Sequence, residues 1–171
     1  MQALRKLDLS HNRLTSISNG DFNLLVNLRH LDLSHNHLTN IADEAFIHLV
    51  KLESLDLSSN KLSKISKRLL QSLRSLKRLD VAENVITVVE PGSLQMSKQL
   101  DYLNISYNNL REAGPAMFEG LVNLFELDLS HNELVTLTDH TFIDQKDLEF
   151  VNLSFNQIQL VSSHLFPKTN R

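Results

Sequence analysis

The sequence predicts an α/β solenoid, with short parallel strands stacked along one face and irregular or short-helical chain along the other. Three observations predict it. Asparagine recurs on a strict 24-residue comb, at Asn12, Asn36, Asn60, Asn84, Asn108, Asn132 and Asn156. An apolar frame repeats in phase with the comb; around Asn12 it consists of Leu4, Leu7, Leu9, Leu14 and Ile17. Five residues beyond the frame, one slot holds Phe22, Phe46, Leu70, Leu94, Phe118, Phe142 and Phe166. A fixed period of this length marks supersecondary units that cannot bury their apolar edges singly and must stack.

Each element follows from its residues. The first frame position recurs as Leu4, Leu28, Leu52, Leu76, Leu100, Leu124 and Leu148, without insertion or deletion. The next two positions, Leu31 and Leu33 in the second repeat, are apolar with one polar residue between them. That alternation is the period of a strand with one buried face. The Ser-His-Asn type of segment that follows is turn chemistry. There the chain leaves the sheet and runs inward, carrying backbone donors and acceptors that must be paired. An Asn amide both donates and accepts, so each comb residue is expected to bridge backbone groups of its own and the neighbouring repeat. Residues such as Leu38 and Ile41 then fill the interior behind the strand. Five of the seven spine residues are Phe, which predicts a stacked ring column inside the core. The rhythm weakens in the fourth and fifth repeats. Ala82 stands in a serine slot and Ser97 in an apolar one, while Glu90-Pro91-Gly92 and Ala113-Gly114-Pro115 interrupt the back. An irregular or bent surface is expected there, between Val81 and Met117.

Bulk composition excludes several classes. A net charge of -3 gives no sign of nucleic-acid binding, and no apolar run approaches membrane-spanning length. Without cysteine there are no disulfides or thiolate metal sites within the chain. The repeats are expected at 4–27, 28–51, 52–75, 76–99, 100–123, 124–147 and 148–171, in a single solenoid segment of 1–171. Neither end has a polar capping repeat, so an internal stretch of a longer solenoid is expected.

These residues resemble the leucine-rich repeat superfamily. The 24-residue length, the spine Phe and strands such as Leu31-Asp32-Leu33-Ser34-His35-Asn36 are similar to its typical extracellular subtype, found in Toll-like receptors, chaoptin-type adhesion proteins and insect leucine-rich immune proteins. The resemblance implies a right-handed horseshoe with a parallel sheet on its concave face. It implies a recognition module, an ectodomain segment of a receptor, adhesion or innate-immune protein, and not an enzyme. Its partner would be a protein ligand or co-receptor, with a glycan or lipid as alternatives and homo- or heterodimers allowed. No cofactor or metal is expected. The competing class is an intracellular adaptor, or a regulatory repeat domain of a larger cytoplasmic signalling protein.

Function must lie in slots that do not repeat. On the concave strand, Lys6, His11, His30, His35 and Arg78 give way to Tyr102, Tyr107, Phe150 and Phe155. Large rings normally avoid water, and aromatic anchors are favoured at protein interfaces. A partner-binding patch is therefore expected at Tyr102, Tyr107, Phe150 and Phe155, rimmed by Glu126 and His131, with Phe125 at its border. The alternative is a set of scattered rings. Lys61, Lys64, Lys67, Arg68, Arg74, Lys77 and Arg78 run without an intervening acid, a candidate patch for an anionic partner or a solvated flank. Up to Val85 the chain has 12 basic and 9 acidic residues; beyond it, 5 and 11.

Two sequons, at Asn104 and Asn152, are candidate N-glycosylation sites on the secretory route. Both replace a recurrent Asp, so a glycan there would compete with the aromatic patch. His11 and His35 share a slot on adjacent repeats, but His131 holds the same slot without a second histidine beside it, which favours a turn preference over a metal site. No Ser-His-Asp set stands apart from the repeated strand consensus, and there is no glycine-rich phosphate loop.

Overall fold

The computed structural model describes residues 3–166. Residues 167–171 of the expected last repeat lie outside them. Strands run in the order β1 (Lys6–Asp8), β2 (Ser16–Ile17), β3 (His30–Asp32), β4 (Asn40–Ile41), β5 (Ser54–Asp56), β6 (Lys64–Ile65), β7 (Arg78–Asp80), β8 (Val88–Val89), β9 (Tyr102–Asn104), β10 (Glu112–Ala113), β11 (Glu126–Asp128), β12 (Thr136–Leu137) and β13 (Phe150–Asn152). The odd-numbered strands form one seven-stranded parallel sheet in sequence order. Register is constant at 24 residues, as in Leu7 beside Leu31 and Leu31 beside Leu55. Chain and space therefore share one period, which is what a solenoid requires.

The frame forms one core. Leu28, Leu33, Leu38, Leu52, Leu57, Leu76 and Leu100 are fully buried. Burial of a leucine is worth about 1.5–3 kcal/mol, so each coil depends on several such side chains. Phe22 meets Phe46 at a ring distance of 6.1 Å, and Phe118, Phe142 and Phe166 follow at 5.4 Å steps. Buried Leu70 and Leu94 interrupt the ring column and leave two separate stacks. Among the described residues the back of the solenoid is almost free of helix. One 3-10 turn, Pro115–Met117, uses proline at its start, where its fixed φ is compatible and its missing N–H is harmless.

Irregularity on the back is not confined to Val81–Met117. The even-numbered strands pair only in twos: β2 with β4, β6 with β8, and β10 with β12. Within each pair three additional backbone bonds join the coils; between β2 and β4 they run from the N–H groups of His37, Thr39 and Ala42 to the carbonyls of Leu14, Thr15 and Ile17. Between pairs only the first of these bonds survives, as in Lys61 to Leu38, Asn109 to Ile86 and Gln157 to Leu134; farther along the back, Gly92 bonds Ala116, and His140 and Phe142 bond His164 and Leu165 across the later seams. The three seams open into shallow cavities of about 330, 280 and 420 Å³. The Pro91 and Gly114-Pro115 segments line the middle one.

Candidate functional site

The comb asparagines fix the turn that ends every main strand. Asn36 donates from Nδ2 to the carbonyls of Leu33 and Ser34 in its own coil, and to Leu9 in the preceding one. Its Oδ1 accepts the N–H of Leu14 at 2.9 Å. The same four bonds recur at Asn60, Asn84, Asn108, Asn132 and Asn156. Amide chemistry at these positions is thereby committed to the fold.

The turn has a consequence that sequence reasoning missed. The residue before each comb asparagine is left-handed although none is glycine: His11, His35, Ser59, Glu83, Tyr107, His131 and Phe155 have φ of 52–54°. A side chain there costs roughly 1–2 kcal/mol. Its backbone N–H still bonds the next coil, as from Tyr107 to the carbonyl of Ser130 at 3.0 Å. The side chains of this slot consequently stack along the solenoid. His11 lies on His35 with ring centroids 4.2 Å apart. Tyr107, His131 and Phe155 form a continuous three-ring column, with spacings of 4.0 and 4.2 Å. His131 is its centre, not a rim residue. Reading the slot down the comb, as Tyr107, His131 and Phe155, was the signal that could have found it.

The other predicted rings lie on the strands themselves, across a polar row from this column. Arg78, Tyr102, Glu126 and Phe150 are in register on β7, β9, β11 and β13. Glu126 separates Tyr102 from Phe150. The Arg78 guanidinium sits 4.0 Å from the centre of the Tyr102 ring, a cation–π contact worth about 0.5–1 kcal/mol. Tyr102 is half-buried, whereas Tyr107, Phe150 and Phe155 are 52%, 49% and 73% exposed. Burial, and then the carboxylate of Asp80, raise the pKa of the Tyr102 hydroxyl. Phe125, beside Glu126 in the chain, is exposed too.

The row between them is polar. Asp8, Asp32, Asp56, Asp80 and Asp128 each accept the N–H two residues on, as Asp32 does from Ser34 at 2.9 Å. Asn104 and Asn152 make the same turn with Oδ1. Their Nδ2 groups donate to the preceding carboxylates, Asp80 at 3.1 Å and Asp128 at 3.0 Å. The two sequon amides are thus half-buried and engaged with neighbours.

The basic run does not converge. Its residues span 61 to 78, most of the way around one 24-residue coil, so they cannot share a face. Lys64 pairs with Glu90 at 3.4 Å, Lys77 with Glu53 at 3.6 Å, and Arg68 with Glu44. Arg78 is occupied by Tyr102, while Lys61, Lys67 and Arg74 are exposed. Salt bridges at such exposed sites are weak, yet they offset much of the positive field. The candidate patch for an anionic partner is therefore divided among separate faces.

A leucine-rich repeat family profile matches residues 1–38, 31–86, 51–110, 74–134 and 98–158. The chain belongs to the leucine-rich repeat family. No curated protein matches it closely enough to add a relative. Among solved structures, the crystal structure of the TLR13–ssRNA13 complex is similar at 28% identity and a TM-score of 0.71. The likeness covers 89% of this leucine-rich repeat chain and 26% of the other, so this chain spans about a quarter of that chain's length. Repeats of this family and this neighbour mark the chain as an interaction or recognition module. No helix among the described residues is long and apolar enough to cross a membrane.

Proposed function

We propose that this chain is a recognition segment of an extracellular leucine-rich repeat receptor, adhesion or innate-immune protein. It binds a protein ligand or co-receptor on the sheet face of β9, β11 and β13. One observation carries this reading: the Tyr107–His131–Phe155 column with exposed outer rings, and exposed Phe150 across the polar row from it. Contiguous exposed rings are costly in water and are the side chains that dominate interfaces. Stacking and the backbone ladder hold them in place beforehand, so little entropy is lost on docking. Glycans on Asn104 or Asn152 would crowd this surface, and intact mass of secreted material tests whether either sequon is used.

The deciding experiment is a screen of the cell-surface-displayed chain against arrayed extracellular proteins. A partner is expected whose affinity falls about 100-fold in the Tyr107→Ala, Phe155→Ala double variant, as for two truncated anchors. The melting temperature should remain close to that of the parent, since both rings are exposed. Partners that bind the double variant undiminished would place recognition elsewhere.

A further inference from the structure

Glu126 stands apart from the other carboxylates of the sheet face. It is half-buried in the row between Tyr102 and Phe150, and among the described residues its side chain has no hydrogen bond or ion pair. By contrast, Asp128 on the same strand accepts from Ser130 and from Asn152. Glu83, in the ring slot one coil before Tyr107, accepts from Ser59 at 2.7 Å. A carboxylate partly withdrawn from water and left unpaired is short of a cation.

The row itself shows what kind of cation fits. One face of Tyr102 already carries a guanidinium, Arg78, at 4.0 Å. Adjacent strands are about 4.8 Å apart, so a second cation reaching Glu126 would lie against Tyr102 and Phe150. Charge favours its approach. Beyond Val85 the chain has 5 basic and 11 acidic residues, and exposed Asp101 and Glu149 flank the starts of β9 and β13. The same acidity opposes a polyanion such as single-stranded nucleic acid.

We propose that this face binds a basic segment of a partner protein, with an arginine or lysine paired to Glu126 between Tyr102 and Phe150. An apolar residue of the same segment rests on the Tyr107–His131–Phe155 column. This inference rests on the reading of the face as a docking surface, and names the chemistry of what docks.

Selection of random 12-residue phage-displayed peptides on the whole chain tests it. Enriched peptides are expected to carry arginine or lysine next to an apolar residue. As synthetic fluorescent peptides they should lose about tenfold in affinity to Glu126→Gln, the loss of one charge-assisted hydrogen bond. Their affinity should fall as salt rises. Glu126→Lys should shift the selection toward acidic peptides. Neutral or acidic peptides that tolerate Glu126→Gln but are lost in the Tyr107→Ala, Phe155→Ala variant would overturn the basic-partner inference and keep the docking face. Peptides indifferent to all these substitutions would overturn both. A fluorescent oligouridylate that binds the parent and is lost in the Tyr107→Ala, Phe155→Ala variant would also overturn the basic partner.

Discussion

Asn84 illustrates how much of each coil hangs on one side chain. Its two amide hydrogens serve three carbonyls, those of Leu57, Val81 and Ala82, and its Oδ1 accepts the N–H of Leu62. All four contacts lie in or beside the core, where an unpaired backbone group costs about 1–3 kcal/mol. Among the described residues Asn12 makes only the two bonds within its own coil, and at an exposed site. Asn84→Ala is therefore expected to destabilise the chain by about 3 kcal/mol, and Asn12→Ala by no more than about 1 kcal/mol. Urea unfolding of the two variants measures the difference; equal losses would mean that the cross-coil bonds contribute little. The polar side chains that entered apolar slots obey the same rule. Ser97 donates to the carbonyl of Leu73 at 3.1 Å and Gln145 to that of Phe118 at 2.9 Å, whereas buried Ser93 has no partner for its hydroxyl among the described residues.

At the scale of the strand row, the recurrent Asp is turn chemistry, and its repetition brings like charges together. Asp80 shows the result. Burial first, and then the neighbouring charge of Asp56, raise its pKa despite hydrogen bonds from Ala82 and Asn104. The sign follows from linkage. A carboxyl raised in the folded chain contributes stability that is fully present below the ordinary carboxylate range. That contribution is lost as pH rises through the folded value. Asp8 behaves oppositely: the hydroxyl and N–H of Ser10 lower its pKa, so its contribution is lost as pH falls. Asn104 and Asn152 show how the row relieves repulsion, by presenting an amide to the preceding carboxylate. Asp56→Asn should therefore lower the Asp80 pKa in a carboxyl-carbon NMR titration. It should also reduce the stability lost between the ordinary carboxylate range and the Asp80 value. An unmoved Asp80 would assign its shift to burial alone. The aromatic row was legible in the sequence as a set of rings, but its stacking was not. Stacking depends on a left-handed turn that no glycine announced, because the comb asparagine holds His, Ser, Glu, Tyr and Phe there alike.

Over the whole molecule, the sheet was legible because one period of 24 residues writes strand, turn and spine in every coil. The pairing of the back into twos was not, since it follows no residue type: Thr39, Thr87 and Val135 bond the preceding coil, whereas Ser63 and Arg111 in the same slot do not. A solenoid's stability is close to a sum of coil and interface contributions, so the missing bonds beside the short strands at alternate interfaces make that part of each seam the first to open. The main sheet crosses every seam without a break, as in β3 beside β5 and β7 beside β9, which confines the opening to the back. Native-state hydrogen exchange reads this directly. The amides of Thr39, Thr87 and Val135 are expected to be protected, and those of Ser63, Arg111 and Gln159 to exchange much faster. Main-strand amides such as those of Leu55 and Leu79 should outlast both sets, because they lie in the continuous sheet over the core. Uniform protection down the slot would mean that the back opens as one unit and that the seams have no independent energetic existence.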